Sequence, residues 1–202
     1  MLKAKLLLKG PYFPHHSLNR MQSEGDVSHA RNMDLPDASV ECIIASHNIH
    51  HFFSPYKFFK ECERVLKPSG IILIQELNTS LALRVLLRLM RHEGWSYDVD
   101  VFDEKAVAND PSDLWSANCA IPELLFEQID KFEKIFSRLK VELNKKNEFL
   151  IFPLSGGVIS KAKIPELPYW LLRMANTIDK ALTSLFPTIF AMGRSVVIRK
   201  TG

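Results

Sequence analysis

The sequence predicts an α/β fold built around a parallel sheet, and three consecutive stretches support this prediction. Residues 40–45, Val-Glu-Cys-Ile-Ile-Ala, form a short apolar run rich in β-branched side chains, as expected of a strand buried on both faces. Between residues 58 and 66 the apolar side chains recur with a helical period. Residues 71–74, Ile-Ile-Leu-Ile, form a second apolar run. Strand, helix and strand in this order make one βαβ unit, whose crossover we expect to be right-handed.

The helix of this unit has recognisable start and stop signals. Ser54 can cap its first turn, and Pro55 is tolerated there. Its apolar stripe is formed by Phe58, Phe59, Cys62, Val65 and Leu66. Residues 67–70, Lys-Pro-Ser-Gly, then end the helix, because proline disfavours helical geometry in the residue before it and glycine accepts a positive φ. We therefore predict that the two strands are parallel and that a helix over residues 55–66 joins them.

Length and composition are those of one globular domain. The chain has 202 residues, of which 47% are hydrophobic and 24% charged, and this is enough for a single well-buried core. The formal net charge of +3 comes from dispersed basic residues, so charge does not favour a nucleic-acid partner. Cys42, Cys62 and Cys119 lack CxxC spacing and are predicted to pack in the reducing environment of the cytoplasm. No transmembrane segment is expected, since no apolar stretch is long enough to span a bilayer.

Two further strands are predicted before the βαβ unit. Residues 4–8 can form a strand. A loop follows over residues 10–16, because the two prolines there exclude a central strand. Residues 26–30 are predicted as a third strand, which is short and polar for its place.

A helix is predicted directly after the βαβ unit. Residues 78–80, Asn-Thr-Ser, are a capping signal, and the helix extends from Leu81 to about His92. Its Arg84, Arg88 and Arg91 line one side, here called the arginine stripe. The stripe is interpreted as a solvated basic face, with a site for an anionic substrate or lipid headgroup as the alternative.

Beyond residue 120 the pattern predicts helices and strands in alternation. The predicted elements are a helix over 121–136, a strand over 139–153 broken by a turn at 144–147, a bend at 155–157, a helix over 167–186 and a strand over 195–199. The 167–186 helix is expected to lie as a cap between the last two strands. We predict that it packs through Leu171, Met174 and Ile178.

Three stretches in and beside the βαβ unit resemble a known family. They are LPDASVECIIAS (35–46), NIHHF (48–52) and FFKECERVLKPSGIILIQE (58–76). In this order they are similar to the second half of the catalytic domain of class I S-adenosylmethionine-dependent methyltransferases, in the branch called methyltransferase type 11. The resemblance implies an α/β fold, an incomplete Rossmann-like methyltransferase sheet with an added helical cap near the C-terminus. A single domain over 1–202 would comprise a core βαβ unit (25–77), a helical lid region (78–136) and terminal strands with an inserted helix (137–202).

The resemblance also implies S-adenosylmethionine as cofactor. Arg31 and Asn32 match the family's adenine-contacting pair, and Ser46 matches the position beside the methionine part of the cofactor. Lys9 stands where the family has an acid that holds the ribose hydroxyls, and a cation cannot accept those hydrogen bonds. No two glycines have G-x-G spacing, so the glycine-rich motif is missing and the chain is expected to start late relative to the family. We therefore expect weak binding of S-adenosylmethionine.

Two pairs of adjacent histidines are candidates for chemistry. His50 or His51 near its ordinary pKa could act as catalytic base for a hydroxyl or amine. The alternative, packing and hydrogen bonding within the loop, is favoured because the sequence names no third group that would orient a base. His15 and His16 show no third ligand at metal-site spacing, and no metal site is predicted.

The function implied by the resemblance is transfer of a methyl group to a small-molecule or saccharide acceptor. Residues 98–118 correspond to the family's substrate lid, where Trp115, Asn118 and Cys119 are candidates to touch the substrate. An aromatic anchor that packs the lid is the preferred interpretation of Trp115.

Other functions remain open at this point. A pseudo-methyltransferase acting as a binding or scaffold module, or a truncated product, would explain the missing glycine motif, Lys9 and Arg31. A membrane-surface protein would use the arginine stripe and the aromatic late helix for peripheral membrane contact. The sequence specifies neither the acceptor nor an oligomeric state.

Overall fold

The computed structural model describes residues 5–9, 22–25, 32–91, 93–110, 112–113, 116–154 and 167–202. Its strands are β1 (Lys5–Lys9), β2 (Gln22–Gly25), β3 (Val40–Ser46), β4 (Leu66–Leu77), β5 (Leu139–Asn147) and β6 (Gly193–Lys200). Its helices are α1 (Pro55–Val65), α2 (Leu81–Met90), α3 (Ile121–Phe126), α4 (Ile129–Ile135), α5 (Ile151–Leu154), α6 (Tyr169–Leu185) and α7 (Pro187–Phe190), and a 3₁₀ turn lies at Ile49–His51.

The strands form one six-stranded sheet in the order β2-β1-β3-β4-β6-β5. The first four strands are parallel, and β6 runs antiparallel to both β4 and β5. The predicted α/β fold and the parallel pairing of β3 with β4 are therefore confirmed. Register pairs Lys9 with Ser46 and Ser46 with Gln75, so the carboxyl ends of β1 and β3 lie level beside β4 at one edge of the sheet.

The crossover helix α1 forms for the reasons that the sequence suggests. The Ser54 side chain accepts a hydrogen bond from the Lys57 amide at 3.4 Å, and Pro55 occupies the first turn. All five members of the predicted apolar stripe are buried. Phe59, at the centre of the stripe, packs edge-on against Phe132 with ring centroids 4.9 Å apart. Burial of one such ring contributes roughly 1.5–3 kcal/mol to folding.

The turn predicted over 67–70 is wrong, because these residues belong to β4, which begins directly after α1. Ser69, not Gly70, has the positive φ, at 63°. Glycine is required next to it for another reason, because a Cβ at Gly70 would lie 2.9 Å from the Lys67 carbonyl oxygen. The backbone at the start of β4 therefore approaches itself closely between Lys67 and Gly70.

Three predictions for the elements of the C-terminal half are wrong. The strand expected over 139–153 ends at Asn147, and residues 151–153 belong to helix α5. The expected single helix over 121–136 is two helices, because Gln128 leaves helical geometry with φ −114° and ψ 53°. The expected turn at 144–147 is continuous strand, since every one of its residues pairs with β6. Glu127, beside the helix break, and Asn144, within the strand, both bind Arg194 of β6, a distant contact that periodicity does not reveal.

The predicted helical cap between the last two strands is confirmed as α6, but the predicted packing face is wrong. Met174 and Ile178 are 52% and 45% exposed, whereas Asp179 is 3% exposed. The Asp179 carboxylate accepts hydrogen bonds from the amides of residues 149, 150 and 151 at 2.7–3.0 Å. Asp179 thus caps the start of α5, and this contact orients α6 with an acidic residue facing inward.

The position of β1 in the sheet also differs from the prediction. In the doubly wound order 3-2-1-4-5-6, strand 1 is the neighbour of strand 4. The assignment of Lys9 to the ribose acid requires residues 4–8 to be the second strand of this order. Because β1 pairs with β3, it lies where the first strand lies, so the assignment of Lys9 is wrong. The predicted strand over 26–30, the pair His15-His16 and the bend at 155–157 lie outside the described residues. Across the described ranges, no helix has both the length and the apolar character needed to cross a bilayer.

Candidate functional site

A loop held against β4 begins where β3 ends. After Ser46, His47 turns the chain with a positive φ of 49°, and the 3₁₀ turn follows. The Glu76 carboxylate accepts hydrogen bonds from the amides of Asn48 and Ile49 at 2.5 and 2.6 Å. One acidic side chain at the end of β4 therefore fixes the loop that follows β3.

Glu76 also binds His50. Its Oε2 lies 2.6 Å from His50 Nδ1, and both side chains are buried. Burial alone would lower the pKa of His50, but the charge and hydrogen bond of Glu76, with Glu93, raise it to about 10. Burial raises the pKa of Glu76, yet the charge and hydrogen bond of His50 outweigh it and hold that pKa below its usual range. The two groups therefore form a buried ion pair at neutral pH.

His51 has a different environment. Its Nδ1 lies 3.1 Å from the Ser116 carbonyl oxygen, so Nδ1–H donates to the backbone. Burial and the neighbouring His50 charge lower its pKa to about 4. The centroids of the two imidazole rings are 4.2 Å apart. His51 is therefore neutral at pH 7 beside a charged histidine.

Glu93, from the segment after α2, lies between the two rings. Its Oε2 is 3.5 Å from His50 Nε2, and its Oε1 is 3.5 Å from His51 Nε2. The Cys119 thiol is 3.6 Å from Glu93 Oε2. We call His50, His51, Glu76 and Glu93 the histidine–glutamate cluster.

The predicted lid packs directly on this cluster. The Asn118 amide donates to the His50 carbonyl oxygen at 2.9 Å, and the Asn109 side chain donates to the same oxygen at 2.8 Å. An open groove of about 440 Å³ runs beside it, lined by residues 94–96, 107–110 and 116–118. The groove is large enough for part of a small acceptor.

The arginine stripe is used within the lid region. Arg84 donates to the Tyr97 hydroxyl at 2.6 Å, and the Arg88 guanidinium lies 5.3 Å from the centre of the Trp95 ring. Two of the three arginines therefore bind aromatic residues of the segment after α2. Arg88 and Arg91 are nevertheless exposed and Arg84 is half-buried, which agrees with the interpretation of the stripe as a solvated basic face.

The structure brings some predicted site residues together and leaves others apart. Ser46, His50 and His51 share the carboxyl edge of the sheet, and the backbone of Lys9 is level with Ser46. Asn32 is exposed. Arg31 and Trp115 lie outside the described residues. Asn118 lines the groove, but its side chain already binds Ser96 and Ala120, and Cys119 is buried behind it.

Sequence reasoning missed Glu76, Glu93 and Asn48. A glutamate after the apolar run at 71–74 is itself a signal, because acidic residues are rarely buried without a partner. Glu93 has no such local signal. Asn48 is fully buried, and neither its amide nitrogen nor its oxygen has a hydrogen-bond partner in the part of the chain described. An unsatisfied buried group costs about 1–3 kcal/mol and requires an explanation.

Comparison with known proteins matches residues 15–74 to a family described as "Methyltransferase domain". A curated protein of Mycolicibacterium smegmatis, a probable S-adenosylmethionine-dependent methyltransferase, is 36% identical over 55 residues. That match covers 26% of this chain and 21% of the relative. The chain thus spans about a fifth of the curated relative that it matches.

Solved structures of similar shape include methyltransferases at low identity. A SAM-dependent methyltransferase from Archaeoglobus fulgidus has a TM-score of 0.45 and 16% identity, covering 89% of this chain and 67% of that one. One from Methanosarcina mazei has a TM-score of 0.47 and 12% identity, covering 95% and 73%. Residues 15–74, which contain β2, β3, α1 and most of β4, are thus similar to a methyltransferase domain family and to a probable S-adenosylmethionine-dependent methyltransferase.

Proposed function

We propose that this chain transfers a methyl group from S-adenosylmethionine to a small-molecule or saccharide acceptor in the cytoplasm. The family match over residues 15–74 carries the proposal. It is supported by position, because ligands of open α/β sheets bind outside the carboxyl ends of the strands. The loop from Ser46 to His51 occupies that edge beside the groove.

The residues present fit the methionine end of the cofactor. Its amino-acid part carries both a carboxylate and an ammonium group, which need a donor and an acceptor. The buried Asn48 amide offers one of each, and both lack a partner within the described ranges. We assign Asn48 and Ser46 to the methionine part, with Arg31 and Asn32 as the proposed adenine pair. When bound, S-adenosylmethionine supplies the electrophilic methyl group.

Neither cluster histidine is suited to act as the base. His50 is held as a cation by two carboxylates, and a protonated imidazole cannot accept another proton. His51 is neutral, but with its pKa lowered to about 4 it is a weak base. Methyl transfer by this chain then depends on alignment of acceptor and methyl group, which alone can supply several kcal/mol of barrier reduction. We propose that His50 and Glu76 position the loop.

Calorimetric titration with S-adenosylmethionine and S-adenosylhomocysteine tests the proposal. We expect weak binding, above the low-micromolar range, because no two glycines of the chain have the G-x-G spacing of the glycine-rich motif. Asn48→Ala should weaken it roughly three- to tenfold, the effect of one or two lost hydrogen bonds. The matched control is Asn176→Ala, which removes an exposed amide on α6.

Two results would contradict this view. Equal affinity of the Asn48→Ala and Asn176→Ala variants would remove Asn48 from the cofactor site. A chain that binds neither compound at millimolar concentration would be a non-catalytic member of the fold. Low-micromolar binding would instead mean that residues 3–16 rebuild the ribose and methionine contacts.

A further inference from the structure

We propose that His50, His51 and Glu93 bind a Zn²⁺ ion, with the Cys119 thiolate as fourth ligand. This goes beyond methyl transfer, which needs no metal in the function proposed above. The sequence predicts no metal site, because no third ligand is visible at metal-site spacing beside a histidine pair. The fold supplies that ligand from the segment after α2.

The spacing of the ligand atoms suits one small ion. Each of His50, His51 and Glu93 offers one ligand atom, and these atoms all lie within 4.8 Å of one another. Glu93 reaches the two Nε2 atoms with different carboxylate oxygens, each at 3.5 Å. Two ligands on one tetrahedral Zn²⁺ ion are roughly 3.3 Å apart, given metal–ligand bonds of about 2.0–2.2 Å. Small side-chain shifts would therefore complete the site.

The outer contacts of both histidines are those of metal ligands. A metal-bound histidine donates its other ring N–H to a carboxylate or a backbone carbonyl, which fixes its tautomer and orientation. His50 Nδ1 is 2.6 Å from Glu76 Oε2, and His51 Nδ1 is 3.1 Å from the Ser116 carbonyl oxygen. Both Nε2 atoms are thereby directed to Glu93.

Charge balance favours a divalent cation. The cluster holds two carboxylates, Glu76 and Glu93, whose side chains are 0% and 10% exposed. Buried carboxylates need a compensating positive charge nearby. With both imidazoles neutral, one Zn²⁺ ion would offset two of the three negative charges of Glu76, Glu93 and the Cys119 thiolate.

Cys119 directs the choice of metal. Its buried sulfur lies 3.6 Å from Glu93 Oε2. It is not among the three ligand atoms that lie within 4.8 Å of one another, so its side chain has to move towards the ion to become the fourth ligand. Nitrogen and sulfur ligands favour Zn²⁺, whereas Mg²⁺ and Ca²⁺ prefer oxygen ligands. With four protein ligands the site would be closed and structural. It would join the loop after β3 to residues 93 and 119, the two ends of the segment that lines the groove.

The test is titration of the metal-free full chain with Zn²⁺ and with Co²⁺ as spectroscopic substitute. We expect one ion per chain, visible absorption typical of tetrahedral Co²⁺, and a near-ultraviolet sulfur-to-cobalt band that Cys119→Ser removes. Glu76→Gln, which changes only an outer contact, should weaken Zn²⁺ binding about 10- to 100-fold. Glu93→Gln, which removes a ligand, should weaken it further.

The matched control is the double variant His15→Gln/His16→Gln, which removes the chain's other pair of adjacent histidines. It should keep the affinity of the wild type. Zinc-edge X-ray absorption of the wild-type protein counts nitrogen, oxygen and sulfur ligands without any variant, so a variant that fails to fold does not block the test.

Several outcomes would overturn the proposal. One is a wild-type chain that is folded by circular dichroism but binds neither ion. A second is loss of binding in the His15→Gln/His16→Gln control, and a third is an octahedral Co²⁺ spectrum. Absence of the sulfur band in the wild type would remove Cys119 from the ligand set. Because no S-adenosylmethionine is present, failure of cofactor binding leaves this test unaffected.

Discussion

At the scale of single residues, Glu76 is the side chain on which the candidate site depends. It accepts three hydrogen bonds from the loop after β3, two from amides and one from His50. Its own burial is complete. A buried ion pair adds little to stability against an apolar pair of the same shape, but removal of one partner leaves an uncompensated charge.

We predict that Glu76→Gln lowers the free energy of unfolding of the metal-free protein by about 3–5 kcal/mol. The reason is that His50 loses the partner that stabilises its charge. In the Glu76→Gln/His50→Gln double variant no charge is left unpaired, so the loss should be smaller than in the single variant. Urea unfolding measures both.

The control is Glu104→Gln, at an exposed position, which should change the unfolding free energy by less than about 0.5 kcal/mol. A Glu76→Gln effect no larger than this would show that the ion pair does not hold the loop.

At the scale of elements, the orientation of α6 is set by one polar contact. Asp179 caps the start of α5 with three amide hydrogen bonds. In this orientation of α6, Met174 and Ile178 are exposed. A hydrophobic pattern alone therefore assigns the wrong face to this helix.

We predict that Asp179→Ala lowers the unfolding free energy by about 1–3 kcal/mol, since three buried amides lose their acceptor. Amide hydrogen exchange over residues 149–154 and 169–185 should accelerate, while that of β3 and β4 stays slow. Lys180→Ala, at the exposed neighbour, is the control. Uniform acceleration across all elements would instead mean global destabilisation.

Local signals account for the elements that were predicted correctly. In β3, α1 and β4 the apolar period and the Ser54 cap indicate the same structure, and each acts within a few residues. By contrast, side chains beside the break between α3 and α4 and within the continuous β5 bind Arg194, far away in β6. Its guanidinium binds Glu127 and Asn144.

The candidate site shows the same division. The sequence places Ser46, His50 and His51 at a strand end because strand and loop are adjacent in the chain. Glu76 and Glu93 arrive from other elements, and no spacing rule connects them to the histidine pair. The unpartnered state of Asn48 is visible only once its whole surroundings are known.

At the scale of the whole molecule, Arg194 joins four parts of the fold. It extends from β6, is fully buried, and donates to Asn78 after β4 at 2.7 Å and to Asn144 in β5 at 2.8 Å. It also pairs with Glu127 at the end of α3. Burial raises the pKa of Glu127, but hydrogen bonds from Arg194 and Lys146 outweigh this and lower it.

The lowered pKa of Glu127 determines how the stability of the fold changes with pH. A carboxylate with a lowered pKa contributes stability that is present above its ordinary pKa of 4.5 and is lost as pH falls through the lower folded value. We predict that Glu127→Gln costs about 1 kcal/mol at pH 7, since the carboxylate is partly exposed. The difference from the wild type should shrink as pH falls from about 5 to 3.

Urea unfolding of both proteins at several pH values measures this difference. Glu142→Gln, which removes an exposed partner of Arg199, is the control for general acid effects. A Glu127→Gln difference that is constant with pH would contradict the role of the ion pair.

The sheet order also has a consequence for synthesis on the ribosome. β5 pairs with β6 alone, and β6 lies between β5 and β4. Translation at about 5–20 residues per second separates Asn147 from Gly193 by roughly 2–9 seconds. During that interval β5 and the outer edge of β4 lack the strand that covers them, and unpaired edges invite aggregation. In the cell, chaperone capture would compete with folding of the nascent chain in those seconds.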